Sequence, residues 1–398
     1  MKTLYIHMGA PKTGSTAIQT FLEQNSKRLY QDGILFRFLP FTDYTRDLPV
    51  PTEDGSVVFV NPEGASGKVP EKRNAYFLHG KSEPGFDEEN RHRLKEGLLL
   101  IDQWFQEKEA IVLSDEYLWI TAGRWDFLEQ VRDFCKEHQI TVKLIVYLRQ
   151  QDEYLDSYYR QRIKLYFRTE RWEDFLQQHE LIYDCYGIEY EKRLDWFSSL
   201  FGKENVIVRP YEPKLWAEAG SSIYQNFADI LGLDIKSGYV LPSEDVNPSQ
   251  NHNYTEIQRI INRLHNPSAK YAVKTRQFFQ NAGIRCSEMH KEDTKLRYWS
   301  DGELERICSP LEAGNQKAAR EYLGRDRFFE GRKKEAEQWL PDTPEMQEDI
   351  ILYFGELNRL LFRDLMVLKE ENQQLKRFSL GYRIYRFFKK IKDKLKKR

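Results

Sequence analysis

The chain has 398 residues, 61 Lys or Arg against 62 Asp or Glu, and a formal charge of −1. Its four cysteines, Cys135, Cys185, Cys286 and Cys308, are far apart and no histidines recur at zinc spacing, which excludes a disulfide framework and a sequence-encoded metal site. No apolar run is long enough to span a bilayer and no apolar targeting segment precedes the first motif, so the expected compartment is a reducing cytoplasm. The length allows one large α/β domain with additions, and 14% aromatic residues suit a substantial core.

Residues 4–19, LYIHMGAPKTGSTAIQ, read as an apolar strand, a turn pinned by Gly9, Pro11 and Gly14, and a helix. Such a turn points successive backbone N–H groups inward. Lys12 adds a positive charge, Thr13, Ser15 and Thr16 add hydroxyls, and the helix dipole attracts anions. Gly9 and Gly14 keep the glycine spacing of a nucleoside-triphosphate loop, but Ser15 stands where that loop has its lysine, and Lys12 precedes Gly14. His7 lies inside the strand and is expected to pack there rather than act as a base.

Residues 40–95 form a long insert rich in Pro, Gly and charge, expected as a loop on the acceptor side where His79 and Lys81 could meet an anion. Next comes AIVLSDEYLW at 110–119, apolar until Ser114, Asp115 and Glu116. Adjacent side chains on an extended backbone point to opposite faces, so one of the two carboxylates enters the crevice beyond the strand end, while capping of the next helix is the other role open to either. Trp104, Trp119, Trp125 and Trp172 lie in or near the segments expected to border the acceptor, most of them as core.

VKLIVYL at 142–148 reads as a buried parallel strand that ends at Arg149 before a helix carrying Ser157. ENVIVRPYE at 204–212 is a further strand and SSIYQNFADILGLD the helix after it, while NPSQN at 247–251 is a polar turn and GNQKAAREYLGRDRFF at 314–329 a closing helix. Leu361, Leu365, Leu368 and Leu375, with Asn372 in the intervening core slot, predict a short parallel coiled coil and with it a homodimer. Leu380, Ile384, Phe387, Phe388, Ile391 and Leu395 then line one face of a basic helix. Residues 376–398 carry eleven Lys or Arg and one Asp, so a tail of +10 follows a body of −11. The apolar face favours an anionic membrane surface over nucleic acid.

The form P-K-T-G-S-T at 11–16, Arg149 at a strand end, and Ser157 eight residues later together resemble the sulfotransferases that use 3′-phosphoadenosine 5′-phosphosulfate, PAPS, in particular bacterial, carbohydrate-type members. The resemblance runs over residues 1–330 and implies a P-loop-NTPase-like α/β fold, a parallel sheet flanked by helices, followed here by a helical extension at 331–376 and the tail at 377–398. It further implies a 5′-phosphate held by Lys12 and the Thr13, Gly14, Ser15 and Thr16 loop, a 3′-phosphate held by Arg149 and Ser157, and a base at Glu116, where relatives read S-S-E and this chain S-D-E. The product would be adenosine 3′,5′-bisphosphate, the acceptor a carbohydrate or glycolipid hydroxyl, and no metal would be needed. The R-K-G nucleotide motif of cytosolic members is absent, which leaves the adenine contacts unassigned. Two other classes remain: a P-loop kinase using ATP and Mg²⁺, and a non-catalytic membrane scaffold built on the tail.

Overall fold

The computed structural model describes residues 1–37, 48–51, 57–60, 74–78, 87–121, 126–166, 168–177, 187–236, 238–242, 251–263, 269–289, 296–330, 336–378 and 380–395. Among these, five strands form one parallel sheet: β1 (Thr3–His7), β2 (Ile34–Leu35), β5 (Ala110–Ser114), β6 (Thr141–Leu148) and β7 (Val206–Pro210). Two further strands, β3 (Leu48–Pro51) and β4 (Val57–Val60), pair antiparallel in a separate hairpin inside the insert.

The main sheet is ordered β2-β5-β1-β6-β7, so β1 lies between the two strands that follow it at a distance in the chain. This is the topological switch point of an open α/β sheet, and the crevice beyond the carboxyl ends of such strands is where ligands collect. Both faces are covered, which is why the strands read as nearly continuous apolar runs. Leu4, Ile6, Leu113, Leu144 and Val146 pack on the helices Asp87–Trp104, Phe127–Glu137 and Tyr190–Phe201. Val112, Ile145 and Tyr147 face the helices Ser15–Gln24 and Ile223–Leu231. Truncating a fully buried residue such as Ile6 would leave a cavity costing about 2–5 kcal/mol.

The helix Gln151–Tyr166 leaves the sheet and joins a second apolar cluster with Trp172, Phe175, Tyr298 and Trp299. A third cluster binds the helices His252–Ile261, Ala269–Met289 and Pro344–Phe378. The tail helix spans Leu380–Leu395. No described helix is long and apolar enough to cross a membrane.

Several expectations are refined. The 110–119 segment is strand only to Ser114 and turns helical at Tyr117–Thr121. The insert contains the β3–β4 hairpin, and its last part is helix from Asp87. Asn74 is buried, donating to the carbonyls of Arg37 and Val112 and accepting from the Ser114 N–H, so the insert is tied to the exit of β5. His79, Lys81, Trp125 and residues 247–250 lie outside the described residues. Trp104, Trp119 and Trp172 are core residues.

Candidate active site at the switch point of the sheet

The loop after β1 is fastened to β6: Ala10 donates to the Tyr147 carbonyl at 2.7 Å, and Tyr147 donates to the Gly9 carbonyl at 2.6 Å. Gly9 has φ of 89°, and a Cβ there would lie 2.8 Å from the Glu116 Cβ and 2.9 Å from its Cα, so only glycine lets the loop pass against the end of β5. Lys12 is left-handed with φ 66° and Gly14 with φ 80°. The helix Ser15–Gln24 therefore starts from a residue with no side chain: it has no side-chain cap and no acid in its first turn. An uncapped first turn presents N–H groups and a positive dipole end to an anion. Thr16 is exposed there, Ser15 is buried, and Thr13 is fully buried with its hydroxyl donated to the Ala10 carbonyl at 2.5 Å. Thr13 thus shapes the loop with its side chain and can offer a ligand its backbone N–H.

Arg149 leaves the end of β6 beside this loop. Its Nη1 reaches the Lys12 carbonyl at 3.5 Å and its Nε donates to Glu153 at 3.0 Å, while its guanidinium lies 5.8 Å from the Tyr211 ring. The Tyr190 hydroxyl donates to the Arg149 carbonyl at 2.5 Å and so fixes where the strand stops. Ser157 is buried on the helix that follows. With 3.6 residues per turn, Glu153, Ser157, Arg160 and Lys164 stand on one stripe of that helix.

The charges converge on Lys12. Burial, and after it the positive charges of Arg149, Arg160 and Lys164, lower its ammonium from 10.5 to about 8, with Glu116 working in the opposite direction. Cations crowded into a partly desolvated crevice are an arrangement that a polyanion stabilises. Arg160 is in turn held by Asp156, 2.9 Å from its Nε, and Asp156 also meets His252 and the Tyr298 N–H. Burial opposes it, yet Arg160 and His252 keep the Asp156 carboxyl well below the usual carboxylate range.

The two carboxylates after β5 separate in the turn between Ser114 and the helix that starts at Tyr117. Asp115 is fully buried and its Oδ1 accepts the Tyr117 N–H at 2.9 Å, capping the short helix. Glu116 is half-buried against the loop and accepts from Gln19 Nε2 at 2.8 Å; the same amide reaches the Ser114 hydroxyl at 3.4 Å. His7 is fully buried, with Nδ1 2.8 Å from the Ser114 hydroxyl, and burial pulls its pKa down to about 3 against the pull of Asp115. A neutral imidazole edge-on to Tyr147 and Phe227 is a packing element of the core. The crevice therefore brings together Lys12, the 13–16 loop, Glu116 and Arg149, with Ser157 buried on the helix stripe of Arg160 and Lys164, and adds Gln19, Arg160 and Tyr211, which have no motif of their own in the sequence. Among the described residues no group of three or more His, Cys, Asp or Glu is placed to hold a metal ion.

No family model matches the chain. A curated protein of Archaeoglobus fulgidus, described only as an uncharacterized protein, is 28% identical over 203 residues, which is 51% of this chain and 52% of that one. The chain thus spans about half the length of the curated relative it matches. Among solved structures, a sulfotransferase from Alicyclobacillus acidocaldarius superposes with a TM-score of 0.36 at 14% identity, covering 66% of this chain and 94% of its own. So distant a likeness assigns no activity.

Proposed function

We propose that the protein is a PAPS-dependent sulfotransferase acting on a hydroxyl of a carbohydrate or glycolipid. The observation that supports this reading is the meeting, at one switch point, of an uncapped loop-helix and Lys12 with Arg149 from the neighbouring strand end; Ser157 lies on the following helix, on the stripe of Arg160 and Lys164, whose charges reach Lys12. Two anionic groups at two distances are what such a pair of sites would take: the loop N–H groups of residues 13–16 for a 5′-phosphosulfate, and the Arg149 fork with Ser157 for a 3′-phosphate. The residues present fit that co-substrate, since burial and then a run of cations lower the Lys12 pKa and a bound polyanion would offset the cations' repulsion.

In this reading the acceptor oxygen forms its bond to sulfur as the bond from sulfur to the 5′-phosphate oxygen breaks. The leaving electron pair stays on that phosphate oxygen, beside Lys12, and the acceptor's proton passes to Glu116. Gln19 holds the Glu116 carboxylate at the mouth of the loop. Asp115 is committed to its cap, which favours Glu116 as the base. A kinase would use the same crevice with ATP and Mg²⁺. Ser15 in place of the loop lysine, and its burial, count against that alternative.

The test is the heat of binding of adenosine 3′,5′-bisphosphate in EDTA, against ATP with Mg²⁺. Micromolar or tighter bisphosphate binding is expected, weakened about tenfold or more in Arg149→Ala by loss of a charge-assisted bidentate contact. ATP bound only with metal, and no bisphosphate binding, would replace this reading by the kinase.

The tail suits a peripheral site on an anionic membrane, and with it a lipid-linked acceptor. All the described residues from Arg383 to Lys389 are exposed, among them Ile384, Tyr385, Phe387 and Phe388. Full-length protein is expected to sediment with vesicles containing phosphatidylserine and not with pure phosphatidylcholine, with binding falling as salt rises. Equal binding to both vesicles, or retention after truncation at Phe378, would overturn the assignment.

A further inference from the structure

The helix Pro344–Phe378 has two apolar faces. One carries Met346, Tyr353, Leu357 and Leu360 and is buried against the helices His252–Ile261 and Ala269–Met289. The other begins at Ile351 and steps alternately by three and four residues through to Leu375. Written as heptads, its a positions are Ile351, Asn358, Leu365 and Asn372, and its d positions are Phe354, Leu361, Leu368 and Leu375. All eight residues are exposed, the six apolar ones by 49–73%. The buried face falls on c, f and g, so the chain's own packing leaves the a and d seam open along its whole length. From Leu361 to Leu375 every residue of the helix is exposed.

We propose that a second copy of this chain occupies the seam, as a parallel two-stranded coiled coil in register. A strict 3.5-residue apolar repeat is the pattern two supercoiled helices bury, and an apolar row of this length is costly to leave in water. Asparagine at two a positions fixes register and favours two strands, because each amide meets its own copy across the axis. Charge decides the direction. The g positions are Asp364 and Glu371 and the e positions Lys369 and Lys376. In a parallel pair, g faces e of the next heptad on the other chain, which sets Asp364 against the partner's Lys369 and Glu371 against the partner's Lys376. An antiparallel pair would set acid against acid and lysine against lysine. In the single chain Asp364 pairs with the adjacent Arg363 at 2.9 Å, an exposed contact that is weak and easily exchanged.

The parallel arrangement has a consequence for the tail. The two-fold axis runs along the coiled coil, so both catalytic domains lie toward its N-terminal end and both basic tail helices emerge from its C-terminal end. Two tails then engage one surface, and the second binds at the effective concentration set by the first.

The dimer is independent of the donor-site reading, because its test measures mass and cross-linking and involves no nucleotide. Sedimentation velocity of the full chain at micromolar concentration is expected to give twice the chain mass. Leu361→Glu with Leu368→Glu is expected to give the single-chain mass with cooperative unfolding retained at a lower midpoint, since both residues are exposed and outside the core while the partner's stabilisation is lost. Asp364→Lys with Glu371→Lys is expected to weaken the dimer, and adding Lys369→Glu with Lys376→Glu to restore it. Asn372→Cys is expected to cross-link the two chains when oxidised glutathione is supplied, against a wild-type control. A wild-type chain that runs at single mass, a dimer that survives the leucine substitutions, or a dimer in which Asn372→Cys fails to cross-link would each overturn the proposal.

Discussion

Replacing Glu116 by glutamine is expected to lower turnover by about 10²–10⁴-fold, the range for loss of a positioned general base, while leaving bisphosphate affinity unchanged within about twofold. The separation follows from position. Glu116 meets the 9–14 loop from the β5 side, against Gly9 and Gln19, whereas Arg149 and Ser157 approach from the β6 side. Glutamine keeps the shape and can still accept from Gln19 at 2.8 Å, so the local fold is retained and only proton acceptance is lost. Asp115→Ala, which removes the cap's acceptor oxygen, is the matching control. It should cost stability through the Tyr117 cap and change turnover far less. Full activity in Glu116→Gln would remove the carboxylate from the mechanism, and loss of bisphosphate binding in the same variant would make it a loop-positioning residue.

Lys12→Met is expected to lower turnover by about 10²–10³-fold, as removal of a fixed donor to developing charge does. It should also weaken bisphosphate binding, since in the proposed reading the phosphates are received by the cations that surround the ammonium. A pH signature distinguishes this role from a structural one. The free protein holds the Lys12 ammonium at about 8, because burial and the neighbouring Arg149, Arg160 and Lys164 disfavour its charge. A bound polyanion favours that charge, so binding takes up a proton near and above pH 8, and affinity is expected to fall up to tenfold for each unit of pH beyond it. Calorimetry in buffers of different ionisation heats measures that uptake, and Lys12→Met should abolish it. The same depression acts on folding. The unfolded chain holds this proton to about 10.5 and the folded one to about 8, so the ligand-free protein gains stability as pH rises between the two values. A flat pH profile of affinity in the wild type would show that Lys12 does not face the ligand.

The sequence by itself determined the elements whose signals are local. The turn at Gly9–Gly14 needs glycines at positive φ and lies between an apolar strand and a helix, so its place was legible. The run VKLIVYL is strand because a sheet covered on both faces needs no alternation of polar residues. The tail helix follows from apolar residues at helical period among lysines and arginines. These elements place Lys12, Arg149 and Ser157 at strand ends and on a helix, but not against each other.

Only the tertiary structure decided the rest. The order β2-β5-β1-β6-β7 brings residues more than a hundred positions apart to one crevice, and parallel pairing over such separations leaves no local trace. Asp115 and Glu116 are neighbours of the same charge, and their roles part only because the backbone turns after Ser114 and sends one side chain to a helix cap and the other to Gln19. Arg160 became part of the cation group through the pitch of its helix and the grip of Asp156, itself fastened to His252 from a distant helix. The insert read as loop because the buried Asn74 joins it to the end of β5 through side-chain hydrogen bonds and not through strand pairing, which leaves no periodic signal. The heptad seam was half visible in its leucines. That it begins at Ile351 emerged only once the opposite face of the same helix was seen to be buried on its own chain. Periodicity tells how a helix is striped, and packing tells which stripe is left for a partner.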